Sequence, residues 1–180
     1  EVWIYTGGIN FVISPVQGLT YEFGIAAKHS FAKMSDAGLF LARDSGGGLQ
    51  AVMMERGTQI NPIGELDVIG EWSRYSRVDD AIGTSINLEG HPLWVLTFPT
   101  ADKTWVYDHS ISYGSRWSVW ESYDDYYNSR GRFFVQDSIL FAGTQYMTSY
   151  EDGGLYEVGT EYRTDDGSSL IMTADSQVID

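Results

Sequence analysis

Apolar and polar positions alternate in short bursts along this chain, and the bursts come in pairs. Gly90-His91-Pro92-Leu93-Trp94-Val95-Leu96-Thr97-Phe98 and Lys103-Thr104-Trp105-Val106-Tyr107-Asp108 are two arms rich in Trp, Val, Leu, Tyr and Thr around a short polar turn. Apolar residues dominate both arms, which predicts a hairpin in the middle of a core. The same shape recurs on either side. Leu39-Phe40-Leu41-Ala42-Arg43 runs into Asp44-Ser45-Gly46-Gly47-Gly48 and returns through Leu49-Gln50-Ala51-Val52. Leu140-Phe141-Ala142-Gly143-Thr144 runs to Glu151-Asp152-Gly153-Gly154 and returns through Leu155-Tyr156-Glu157-Val158. The aromatic anchors Phe40, Trp94 and Phe141 are spaced by roughly fifty residues, and short-strand repeats of that period predict an all-β fold of the propeller type.

The rest of the chain fits around these units. Trp3-Ile4-Tyr5, Phe11-Val12-Ile13 and the alternating Tyr21-Glu22-Phe23-Gly24-Ile25 read as strands, and Ala26 to Met34 carries into the first clear unit. Leu66, Ile69, Trp72 and Tyr75 recur every three residues, which predicts one short helix with Trp72 on its apolar face inside a connection over 64–80. Arg116 to Ser122 alternates, with Trp117, Val119 and Glu121 on one face and Ser118, Trp120 and Ser122 on the other. Tyr123 to Arg130 reads as a polar, aromatic and acidic loop, and Arg132 to Gln136 opens a further strand. Thr164 and Leu170 flank a hairpin turn built on Asp166-Gly167. Blade-like units are expected near 1–30, 31–63, 81–122 and 132–175, three to four blades in a single propeller segment spanning 1–180. A start at Glu1 and the blade count lead us to expect part of a longer chain, with a closed four-bladed ring as the alternative.

Composition narrows the function. The 180 residues carry 11 Lys and Arg against 25 Asp and Glu, a net charge of -14, and no basic run. That balance opposes a surface that grips phosphate, because nucleic-acid binding rests on cationic neutralisation. With no cysteine, disulfides, thiolate metal sites and a Cys nucleophile are excluded. The longest apolar runs, such as Leu93 to Phe98, are too short to cross a bilayer as helices, so no membrane partner is expected.

Candidate chemistry is sparse. Asp102-Lys103-Thr104-Trp105 resembles an Asp-box turn but lacks its central Gly, which favours a polar hairpin turn with Trp105 packed between blades. Asp44, Asp108, Asp152 and Glu89 are carboxylates at turns from which a glycosidase pair could be drawn, but turn chemistry accounts for Asp44 and Asp152, which precede glycines. His29, His91 and His109 fit no compact metal motif, and His91 reads as a hydrogen-bonded turn residue. There is no Gly-x-Ser-x-Gly elbow, and the Gly46-Gly47-Gly48 run lacks the Lys-Ser/Thr of a phosphate loop. Asp124-Asp125 and Asp165-Asp166-Gly167-Ser168 offer oxygens to calcium, but no twelve-residue EF-hand pattern is present, and solvated acidic turns are the simpler account. No cofactor is expected. Tyr123, Tyr126 and Tyr127 form the best candidate contact surface, since tyrosines give large rigid contacts at low entropic cost; the alternative is a loop folded over its own blade.

The central stretch also resembles a known family. The packaged-DNA stabilisation proteins of short-tailed bacteriophages, the tail-hub or tail-nozzle propellers, carry a run like the one formed here by Gly90, His91, Thr97, Phe98, Pro99, Thr104, Trp105, Tyr107 and Asp108, with the Trp117 to Trp120 strand after it. Tyr21 to Gly24, Ala26 to Ser30, Leu39 to Leu41 and Tyr162 to Gly167 resemble other segments of the family in the same order, so the likeness covers most of the chain. The resemblance implies a structural virion protein of the phage tail, not an enzyme. It implies a homo-hexameric ring between a portal-side adaptor and distal tail proteins, forming part of the DNA exit channel and retaining the packaged genome until ejection. Double-stranded DNA would pass without sequence recognition, and an acidic wall would offer it no adhesive contacts. The alternative reading is a carbohydrate-active β-propeller, either a lectin-like binder or a glycosidase.

Overall fold

In a computed structural model of the chain, residues 3–5, 13–15, 21–56, 59–124, 129–162, 164–165 and 167–169 are described. A short ladder of β1 (Trp3–Tyr5) and β2 (Ile13–Pro15) is followed by three antiparallel sheets in chain order. The first contains β3 (Phe23–Ile25), β4 (Ala32–Met34), β5 (Ala37–Asp44), β6 (Leu49–Glu55) and β7 (Gln59–Pro62). Its path is β3-β5-β6-β7, with β4 pairing the other half of β5. After α1 (Leu66–Trp72), the central sheet holds β8 (Ile82–Leu88), β9 (His91–Phe98), β10 (Lys103–Asp108), β11 (Trp117–Asp124) and β12 (Ser129–Arg132), each paired with the next. The third holds β13 (Val135–Phe141), β14 (Thr144–Ser149) and β15 (Leu155–Glu157). A last hairpin joins β16 (Thr164–Asp165) to β17 (Ser168–Ser169), with Gly167 at φ 84° in the expected turn.

The nearly continuous apolar run of β9 follows from burial on both faces. Trp94, Leu96 and Phe98 join Leu39, Leu41, Ala51, Met53 and Trp72 in the cluster between the first and central sheets. Leu93 and Val95 turn the other way and pack with Val106, Val135 and Met147 between the central and third sheets. A strand covered on both sides has no polar face to alternate with, so its pattern loses the period of two.

The sheets meet through β4, β8 and β13. The Ser85 hydroxyl on β8 donates to the Lys33 carbonyl on β4 at 2.8 Å, across 52 positions. The Ser138 hydroxyl on β13 donates in the same way to the Ser85 carbonyl at 2.7 Å, across 53 positions. Thr84 adds contacts to Ser138 (2.7 Å) and Asp137 (3.1 Å). This relay of hydroxyl to carbonyl has the period of the repeat, and small antiparallel sheets packed in succession fit the blade arrangement of a propeller. Close approach makes it work: a Cβ added at Gly83 would lie 2.0 Å from the Ser30 carbonyl oxygen, so only glycine fits.

Five expectations change. Phe141 is not a buried anchor: it is 67% exposed at the end of β13. Leu140 to Thr144 is not one strand either, because Ala142 (φ 51°) and Gly143 (φ 88°) turn the chain back into β14. On α1 the buried residues are Val68 and Trp72, four apart, whereas Leu66 is 95% exposed; the triplet spacing drifts around a helix of 3.6 residues per turn. Tyr123 and Arg130 belong to strands, facing each other in the β11–β12 register rather than lying in a loop, and Arg132 closes β12 instead of opening β13.

Candidate functional site

The central hairpin places its motif residues at the two ends of β9 and β10. At one end, Glu89 (φ 49°) and Gly90 (φ 87°) make a two-residue turn that sets Leu88 opposite His91. Both residues need positive φ, the geometry that matches the twist of a hairpin. His91 Nδ1 lies 3.0 Å from Asp108 Oδ2 and 2.8 Å from Ser110 Oγ. The Ser110 hydroxyl also donates to Asp108 Oδ1 at 2.6 Å. Serine and aspartate thus meet the same imidazole nitrogen, whereas a catalytic triad needs them on opposite nitrogens. Burial pushes the Asp108 carboxyl up, but the Ser110 hydroxyl and N–H, together with His91, outweigh it and hold the group below its ordinary range. Asp108 therefore acts as an ionised acceptor that fixes the His91 ring.

The other motif residues hold the blade together. Thr97 and Thr104 bury their hydroxyls against each other at 3.0 Å, and Thr104 also accepts the Phe133 N–H at 3.1 Å. Pro99 accepts the N–H of Asp102, a turn residue at φ 53°. The Asp102 carboxylate accepts the Arg132 N–H at 3.1 Å, which is turn and cross-strand chemistry. Phe98 packs against Trp72 at a tilt of 46°, with centroids 5.3 Å apart. Trp105 donates its indole N–H to Tyr75 Oη at 3.0 Å and meets Trp72 edge-on at 6.1 Å. Tyr107 accepts a bond from Arg116 Nη1 at 3.1 Å.

Between the Glu89–Gly90 turn and β11 lies an open cavity of about 270 Å³. Leu93, Val106, Trp117 and Trp120 line it with apolar surface, and Glu89, His91, Asp108 and Arg116 line it with polar groups. Trp120 and Arg116 carry no sequence signal for this place. Arg116 arrives because the Glu65 carboxylate, at the start of α1, accepts its backbone N–H at 2.8 Å and the Ser115 hydroxyl at 2.7 Å, 51 and 50 positions away. Of the candidate carboxylates, only Glu89 and Asp108 share the cavity. Asp44 caps its own turn through the Gly48 N–H at 2.8 Å. Asp152 accepts the Tyr156 hydroxyl at 2.6 Å and the Gly154 N–H at 2.8 Å, which hold its carboxyl below the ordinary range.

Among the described residues no three of His, Asp and Glu are grouped to hold a metal ion. His29 lines a separate hollow beside Ile82, and His109 lies against the Tyr107 ring. Tyr123 sits near the end of β11, while Tyr126 and Tyr127, and the calcium candidates Asp125 and Asp166, lie outside the described residues. No helix among the described residues is long and apolar enough to cross a membrane.

With this geometry, the motif in Gly90 to Asp108 reads as the frame of a blade rather than as reactive machinery. The model of the family described as Bacteriophage P22 Gp10, beta-propeller, matches residues 1–163. The chain belongs to this family. Its antiparallel sheets are accordingly those of a β-propeller. Membership in the P22 Gp10 family makes it a phage structural protein that stabilises packaged DNA, a component of the virion. No curated protein sequence matches the chain.

Proposed function

We propose that the protein is a tail hub or nozzle component that lines or closes the DNA exit channel and helps retain packaged DNA until ejection. The observation that carries this reading is the family match over 1–163. Two features support it. The motif residues are spent on packing and turn geometry, as a scaffold requires, and the net charge of -14 lets DNA pass without adhesive phosphate contacts. The working form is a homo-hexameric ring between a portal-side adaptor and distal tail proteins. The tyrosine-rich stretch Tyr123, Tyr126 and Tyr127 is the proposed contact with a neighbouring subunit.

Electron microscopy of the protein tests the ring directly. Six-fold rings or tubes with a central hole are expected, and monomeric discs at micromolar concentration would overturn the assembly. A strongly electropositive channel in the assembled ring would remove the argument from charge. Replacing Tyr126 and Tyr127 by Ala should weaken assembly while the far-UV circular dichroism stays unchanged; full ring formation by that variant would rule out the tyrosine contact.

A further inference from the structure

The cavity at the mouth of the central hairpin has the chemistry of a binding site that the scaffold role leaves unused. At about 270 Å³ it lies just below the range of roughly 300–1,000 Å³ typical of drug-sized ligands, so a single small ring would fill it. Its wall is aromatic. Trp120 is half-buried there, and its plane is fixed by an edge-on contact with Phe133, centroids 5.3 Å apart at 89°. Leu93 and Val106 form an apolar base, 5% and 1% exposed.

The polar groups narrow the ligand class. Glu89 and Asp108 bring two carboxylates, Arg116 a guanidinium and His91 an imidazole. Several are already oriented. Asp108 and Ser110 hold His91 through Nδ1, which directs the other ring nitrogen to a different partner. Arg116 is anchored by one nitrogen on Tyr107 and keeps further N–H groups available. Two carboxylates beside the guanidinium disfavour a phosphate or another anion. A bare cation lacks its ligand set, since no three of His, Asp and Glu among the described residues are grouped to hold a metal. What satisfies planar acceptors, planar donors and an indole face together is a neutral ring with hydroxyls around its edge and C–H groups on its face.

We propose that this cleft binds a neutral, hydroxyl-rich ligand the size of one pyranose ring, with Trp120 as the stacking wall and Glu89, His91, Asp108 and Arg116 as the hydrogen-bonding rim. This inference does not depend on the ring or the channel. The test titrates the full chain with glucose, galactose, mannose, rhamnose and N-acetylglucosamine up to 50 mM, read by saturation-transfer NMR and tryptophan fluorescence. At least one sugar should show saturable binding, weakened ten-fold or more in Trp120→Ala. Glu89 is exposed in its turn, and a Gln amide oxygen can still accept the Thr160 hydroxyl that the carboxylate accepts now, so Glu89→Gln should fold normally and weaken the same sugar three-fold or more; this variant decides the matter if Trp120→Ala fails to fold. Absence of saturable binding by all five sugars would overturn the proposal, as would unchanged affinity in Glu89→Gln.

Discussion

The central and third sheets share a design at the level of sequence, yet the structure treats them differently. In the central sheet β9 is covered on both faces, and Trp94, Leu96 and Phe98 are fully buried. In the third sheet only one face finds apolar cover among the described residues. Val135 and Met147 pack against the central sheet, while Ile139, Phe141 and Leu155 on the opposite face are 57–67% exposed. Apolar content alone therefore does not mark a core strand here. Burial depends on having a neighbour on each side, and in a row of sheets an inner one has two.

That comparison can be broken most sharply at Trp94. Its replacement by Ala removes a fully buried ring from the cluster between the first and central sheets, and should cost about 3–5 kcal/mol in urea denaturation. Gly83→Ala comes next. The new methyl would meet backbone, not a flexible side-chain end, where β8 passes Ser30, so a loss of about 1–3 kcal/mol or more is expected. Ser138→Ala tests the join between the central and third sheets. It removes the bond to the Ser85 carbonyl and the contact with Thr84, and should cost about 1 kcal/mol, with the loss appearing in the same transition if the two sheets unfold together. Phe141→Ser should be the mildest, within about 0.5 kcal/mol, because an exposed ring loses little in going to serine. A loss at Phe141 as large as at Trp94 would show that the third sheet is covered in solution, and would erase the contrast.

Much of the candidate site is legible in the chain's local chemistry. His91 as a hydrogen-bonded turn residue and Asp102 in its hairpin turn follow from it, as does Trp105 against a packed interface, although its partner Tyr75 lies 30 positions away. The cavity is not legible in this way. Its walls come from β9, β10, β11 and the connection before β11, and Arg116 is placed by Glu65 from across 51 positions. The repeat is visible at the right period but through the wrong residues. Phe40, Trp94 and Phe141 suggest it, whereas the relay running through Lys33, Ser85 and Ser138 carries it in space. Small hydroxyl residues are common, and nothing in a one-dimensional pattern separates those that bridge sheets from those that face water.

The all-β character, the hairpins with their positive-φ turns, the short helix near Trp72 and the family are all written in the order of residues, because each rests on local pattern or on a contiguous motif. Which apolar residues form the core is settled in three dimensions alone. Packing separates Trp94 from Phe141 and Val68 from Leu66, and it gathers Glu89, His91, Asp108, Arg116 and Trp120 around one cavity. Burial and convergence belong to pairs of surfaces, and a strand's own residues specify only one surface of each pair.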